Sequence, residues 1–437
     1  MRNGKLSLRF IVAATFAVTT LMTVAAGAQT ETVIWDFKDP TGIIPYSGLA
    51  IDAAGNLYGT TVNGGRQTAG VVYELSPAAG GGWTQTVLHN FGKETTKDGY
   101  YSYATPVFDA AGDFYGTTAF GGAHASGTVF EMVPTTGGTW NEKLLHSFKG
   151  PDGKSSQASV ILDPSGNIYG TTTYGGASYA SGACAFTSSL KGCGTVFELT
   201  PNGSGGWIEH VLHSFSQNGV DGFEPSAPLV RDVAGNLYGT TNFGGDYNYG
   251  TVFELSPAAG GAWTETIIHS FDNNGVDGTY PEYGGLIFDA AGNLYGIAGG
   301  GGTGDQGIVY ELSPSTGGAW TETVIYSFSD NSANNPGSIG SAGGALIFDA
   351  EGNLYSARAS GGTYGYGMVY KLTPSTGGTW TQTVLYSFGA LPDGEFPFPG
   401  LVFDSAGNLY GATEYGGVGR NLFCSYLNCG TVFEITP

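Results

Sequence analysis

Residues 285–296 read Gly285-Leu286-Ile287-Phe288-Asp289-Ala290-Ala291-Gly292-Asn293-Leu294-Tyr295-Gly296. An apolar run enters Asp-Ala-Ala-Gly, and the chain returns through Asn-Leu-Tyr-Gly. This is a strand, a tight turn and a second strand, with Gly supplying the positive φ that the hairpin needs. Outward from the hairpin, Gly307-Ile308-Val309-Tyr310-Glu311-Leu312 reads as a third strand. Ser313-Pro314-Ser315-Thr316-Gly317-Gly318 turns the chain, and Trp320-Thr321-Glu322-Thr323-Val324-Ile325-Tyr326-Ser327-Phe328 is a fourth. Four antiparallel strands make one blade.

The unit returns seven times. Its turn aspartate falls at Asp52, Asp109, Asp163, Asp232, Asp289, Asp349 and Asp404, with gaps of 54 to 69 residues. A period that long, built from strand and turn signals, predicts an all-β, seven-bladed β-propeller of four-stranded antiparallel blades. Blades are expected at about 47–91, 104–148, 157–215, 226–271, 283–328, 342–388 and 398–437 plus 29–37. The last of these needs both chain ends, because the seventh copy stops after its third strand. Glu31-Thr32-Val33-Ile34-Trp35-Asp36-Phe37 matches the fourth strand Glu265–Phe271 position by position. The N-terminal strand is therefore expected to complete the last blade, which hides two sheet edges.

Residues 1–28 read as an export signal. Arg2, Lys5 and Arg9 precede the apolar run Phe10–Ala25, and Ala26-Gly27-Ala28 offers small residues for cleavage before Gln29. Gln29 also stands where other fourth strands have Trp, so cleavage falls at a strand start. Losing three cations moves the formal charge from −21 to −24. Such acidity disfavours nucleic acid and anionic lipid. No later apolar run approaches the ~20 residues of a membrane span. The 76 glycines and 51 Tyr and Phe suit short strands joined by tight turns.

All four cysteines, Cys184, Cys193, Cys424 and Cys429, lie in the exported part. Disulfides are the expected state there, since no His lies beside either pair to complete a zinc site. Blades three and seven stand apart around the ring, beyond the α-carbon spacing of about 7 Å that a bridge tolerates. The expected pairs are therefore Cys184–Cys193 and Cys424–Cys429.

Repeats carrying Asp-x-x-Gly-Asn-Leu-Tyr-Gly-Thr-Thr, Tyr/Phe-Gly-Gly, Gly-Thr-Val-Phe-Glu-Leu and Trp-Thr-Glu-Thr-Val-Leu-His-Ser-Phe resemble the GloVer tandem-repeat family of secreted bacterial proteins. The resemblance covers essentially residues 29–437. Family members are termed "choice-of-anchor" because many end in a sorting or anchoring tail. This sequence ends at Pro437, directly after a strand, so release is expected over covalent anchoring. The resemblance implies fold and export, and no settled activity.

In a propeller, the loops between strands two and three share a face with the segments linking blades. The opposite face here has uniform turns, so variation is concentrated on the first. Long loops at 174–194 and 415–430 carry the cysteine pairs there. The repeated aspartate is read as a turn cap, not a carboxylate ring. His89, His146, His213 and His269 share one fourth-strand position with Tyr326, Tyr386 and Trp35, which points to an aromatic plane and not a metal ligand. Lys371 replaces the third-strand Glu in blade six, so that Glu is scaffold. Asp272-Asn273-Asn274-Gly275-Val276-Asp277-Gly278 lacks the alternate ligand spacing and closing Glu of a calcium loop. Turn chemistry is expected there and no cofactor, with calcium kept as the alternative. No Gly-x-Ser-x-Gly, His-Glu-x-x-His or phosphate-cradling loop is present.

Departures from the consensus supply the candidates. Arg358 and Glu414 break the pattern at the open-face end of strand two in blades six and seven, with an ordinary ion pair or a snorkelling side chain as the alternative reading. Phe120, Tyr174, Phe243 and Tyr415 precede Gly-Gly on the same face, where aromatic rings suit either sugar rings or packing over the neighbouring Gly-Gly. No catalytic residue is assigned. The leading expectation is a non-catalytic propeller binding a glycan or surface protein on its disulfide-bearing face, as a monomer. The alternatives are a lyase or hydrolase working at the central funnel, and a structural surface protein.

Overall fold

The computed structural model describes residues 29–92, 98–282, 284–329, 344–389, 391–397, 400–418, 424 and 428–436. The expected signal segment, residues 1–28, lies outside the described residues. Seven four-stranded antiparallel sheets form a seven-bladed propeller. In blade five the strands are Leu286–Phe288, Leu294–Ala298, Ile308–Pro314 and Trp320–Ser327, paired in chain order. Blade seven is completed as the repeat implies: Thr30–Asp36 pairs antiparallel with Thr431–Thr436.

The turn aspartate serves as scaffold. Asp289 Oδ1 accepts hydrogen bonds from the N–H groups of Ala291 (2.8 Å) and Asn293 (2.9 Å). Its Oδ2 accepts from the Asn293 amide (2.8 Å) and the Tyr295 hydroxyl (3.3 Å). One carboxylate thus closes the hairpin and anchors the second strand. Asp52 and Asp404 make the same four bonds.

The core sits in the seams between blades. Phe37, Phe91, Phe148, Phe215, Phe271, Phe328 and Phe388, each just after a fourth strand, are at most 2% exposed. Each meets the third-strand aromatic of the next blade edge-on, at 5.1–5.4 Å between centroids. The Phe37–Tyr73 contact carries this seam from blade seven to blade one. First strands face the axis, where Gly48, Thr105, Ser159, Pro228, Ala345 and Gly400 surround a cavity of about 90 Å³. Fourth strands form the rim.

Sequence alternation does not reveal one repeated device. In blade five Tyr310 faces Val324 while Val309 faces Tyr326, leaving Ile325 as a one-residue bulge. The same slip occurs in the other six fourth strands. Regular alternation would put residues 322 and 326 on one face; the extra residue turns them to opposite faces. Glu322 accordingly meets His269 of blade four. Tyr326 turns the other way, and its hydroxyl donates to Gln382 of blade six at 2.8 Å. Each rim strand thus addresses both neighbours.

Candidate functional site

The open face carries a depression of about 760 Å³ where blades three and four meet, reaching the link into blade five. That volume lies within the ~300–1,000 Å³ of small-ligand sites. One wall is the blade-three loop, closed by Cys184–Cys193 with α-carbons 5.0 Å apart. Phe186 stands on this loop, 74% exposed. Phe223 and Phe243 stack at 5.5 Å with planes 20° apart, and Tyr174 lies beside them. Short antiparallel pairing of Gly222–Phe223 with Phe243–Gly244 holds the stack. That approach requires glycine at position 244, where φ is 88° and a Cβ would lie 2.3 Å from the Asp221 carbonyl oxygen.

Glu224 and Glu282 border the depression with Gln157 and Asn242. Glu224 has φ 60°, a region non-glycine residues seldom enter. Its N–H donates to the Cys193 carbonyl at 2.9 Å, so the disulfide loop helps fix it. Ile44, Tyr101, Ser155, Tyr280 and Phe396 share this conformation in other blades. The backbone is therefore scaffold, and the carboxyl is what blade four adds. Burial pushes both carboxyls up to about 7, and the charge of Glu282 adds to the rise at Glu224.

A raised carboxyl means that the folded state holds its proton more tightly than the unfolded state does. The resulting stabilisation is complete below the ordinary value of 4.5 and is lost as pH rises through about 7. Melting temperature is expected to fall between about pH 5 and about pH 8, and Glu282→Gln should flatten part of that fall. Melting curves across this range check it; an unchanged slope in the variant would count against a buried Glu282.

The structure brings only some of the candidates together. Tyr174 and Phe243 line the depression. Phe120 stacks on Tyr100 at 5.7 Å in blade two, and Tyr415 meets Phe396 edge-on at 6.2 Å in blade seven. Both lie outside the depression's lining. Arg358 does not project toward solvent: it is 2% exposed. Its Nη2 donates to the Gln306 carbonyl at 2.6 Å, and its guanidinium lies 4.4 Å from the Phe328 ring centre. The mouth position expected for it is corrected, because groups of blade five hold it in the seam. Burial raises the Glu414 carboxyl, and a hydrogen bond with Tyr415, not Arg358, opposes the rise.

The histidines sit at the rim, edge-on to the Phe two residues later at 4.6–5.1 Å, while each Nε2 faces an inter-blade aspartate at 3.3–3.6 Å. In the stretch weighed for calcium, Asn274 Oδ1 accepts from the N–H groups of Val276 and Asp277 at 2.9 and 3.0 Å, which is turn chemistry. Sequence reasoning missed Phe186, Phe223, Glu224 and Glu282. The last three lie in inter-blade links that read as turns. The available signal was variation: the position of Glu224 holds Tyr101 and Ser155 in blades two and three.

The fold and its seven repeats define a propeller of tandem-repeat type. A family model described as the Gloeobacter/Verrucomicrobia repeat matches residues 11–192 and 183–348, and the chain belongs to that family. No curated protein matches significantly. Among solved structures, the chain is similar to a putative 6-phosphogluconolactonase from Bacteroides uniformis, with 13% identity and a TM-score of 0.51 over 89% of this chain and 100% of that one. A catalytically inactive virginiamycin B lyase from Staphylococcus aureus gives 13% identity and 0.50, over 94% and 99%. The periplasmic gluconolactonase of Pseudomonas aeruginosa gives 14% and 0.50, over 87% and 99%. At such identities the likeness establishes the fold. The second disulfide, Cys424–Cys429, has α-carbons 5.3 Å apart; two disulfides fit an extracellular or periplasmic environment. No helix among the described residues is long and apolar enough to cross a membrane.

Proposed function

We propose that this protein is an exported, monomeric, non-catalytic propeller that binds a neutral polysaccharide or cell-envelope glycan in the disulfide-bordered depression. The observation carrying this reading is exposed Phe186 and half-buried Phe243, the latter backed by buried Phe223 and Tyr174, flanked by amide and carboxyl groups. Aromatic faces cover the C–H faces of sugar rings, and Gln157, Asn242 and Glu224 suit their hydroxyls. A formal charge of −21 disfavours polyanionic glycans. Export rests on the basic, then apolar, leader and on the two disulfides.

One observation favours a second reading, a hydrolase or lyase. Two carboxyls raised to about 7 in one depression would let one act as acid while the other acts as base near neutral pH. A glycan-array screen of residues 29–437, with product analysis, separates the two. Retention without cleavage, weakened about tenfold or more by Phe243→Ala, is expected. Cleavage abolished by Glu224→Gln or Glu282→Gln would establish the enzyme instead. Retention indifferent to Phe243→Ala would remove the depression from the account.

A further inference from the structure

The rim carries a separate set of polar clusters. Between blades three and four, His213 Nε2 lies 3.6 Å from Asp221 Oδ1 and 3.6 Å from Glu265 Oε2. These gaps are too long for hydrogen bonds. They approach the edge of about 3.4 Å between ligands held tetrahedrally at about 2.1 Å from one ion. His213 Nε2, Asp221 Oδ1 and Glu265 Oε1 are buried and have no hydrogen-bond partner. The Asp221 side chain is only 8% exposed. Ser216 holds its other oxygen through N–H (2.8 Å) and hydroxyl (3.0 Å), which leaves Oδ1 for the cluster. Unpartnered buried polar atoms are costly, and one divalent cation would satisfy several at once.

Three more seams bring the same residue types together. His89, His146 and His269 meet Glu142, Glu209 and Glu322 of the following blade, all ligand atoms within 4.8 Å; there Nε2 also hydrogen-bonds to the inter-blade aspartate, Asp98, Asp152 or Asp277, at 3.3–3.4 Å. The bulge makes this geometry, since it turns Glu and His of one strand toward opposite neighbours. In the other seams the imidazole is replaced. Tyr326 is hydrogen-bonded to Gln382, the seam of Trp35 has Gln85 at the glutamate position of the repeat, and Tyr386 bonds to Asp393 at 2.9 Å while retaining Glu31. Every seam with an imidazole has both carboxylates; packing alone would not require that.

We propose that these four seams bind zinc-type divalent cations through one imidazole and two carboxylates, leaving a fourth position for water, and so staple blades one to five together. His213, Asp221 and Glu265 form the best-prepared site. The test strips residues 29–437 with chelator and dialyses them against Zn²⁺. Bound zinc is then counted by mass spectrometry, and melting temperature is measured with and without the ion. About four zinc ions per chain and a higher melting temperature are expected, because the ion binds the folded state. The paired exchange His213→Tyr with Glu265→Gln rebuilds the Tyr326–Gln382 pair that the fold already contains, so the protein should still fold. It should lose one zinc, and the same exchange at all four seams should lose every ion and the thermal shift. Zinc uptake unchanged by the fourfold exchange, or no uptake by the parent above that variant, would overturn the proposal in favour of proton-sharing clusters.

Discussion

A chain shortened by residues 29–37 is expected to lose its cooperative unfolding transition and to aggregate. Thr30–Asp36 supplies the fourth strand of blade seven, so its removal leaves Thr431–Thr436 as an open edge. Phe37, fully buried against Tyr73 at 5.1 Å, leaves with it and opens the seam to blade one. So does its N–H bond to the Gly430 carbonyl at 3.0 Å. Phe37 is fully buried and Val33, Ile34 and Trp35 are half-buried; at roughly 1.5–3 kcal/mol for a full side chain and about half that for the others, they contribute on the order of 5 kcal/mol together. That approaches the roughly 5–15 kcal/mol by which a domain is stable at all. Size-exclusion chromatography and calorimetry decide the matter: a monomeric, truncated protein melting like its parent would show that the ring does not depend on this strand.

Gly239→Val should cost about 3 kcal/mol or more, an effect of overpacking. A Cβ at Gly239 would lie 2.6 Å from Phe253 Cζ and 2.8 Å from Leu229 Cδ2. The Phe253 ring cannot retreat easily, being fully buried and held edge-on by Phe215 at 5.2 Å. Blade six already differs: Ser356 takes the glycine's place opposite Tyr370 and donates to the Gly344 carbonyl at 2.8 Å. Ser356→Gly is therefore expected to be much milder. Denaturant midpoints measure both, and equal effects would refute the steric account of this repeated glycine.

These two cases also show what a sequence can convey about such a fold. Asp289-Ala290-Ala291-Gly292 announces a hairpin because the interactions that make it are local. The match of Glu31–Phe37 to Glu265–Phe271 announces closure because the copies can be compared directly. Arg358 could not be placed that way: its partners, the Gln306 carbonyl and Phe328, come from the preceding blade. Glu224 and Glu282 were hidden for a similar reason, since the links that carry them have no strand period to fix their path. The rim bulge escaped because Ile325 looks like any other apolar residue of its strand. Only its register against Val309 and Tyr310 reveals it.

The claim that ligand binding belongs to the disulfide-bordered face is tested most directly by calorimetric titration of the glycan retained on the array. The parent, Phe223→Ala with Phe243→Ala, and Val233→Arg at the opposite turn face should be compared, with melting temperatures confirming that each is folded. Val233 is fully exposed within its turn, so its substitution should leave affinity unchanged. Loss of the stacked pair should reduce affinity by about tenfold or more. Full affinity without the pair, joined to lost affinity in folded Val233→Arg, would place the site on the other face.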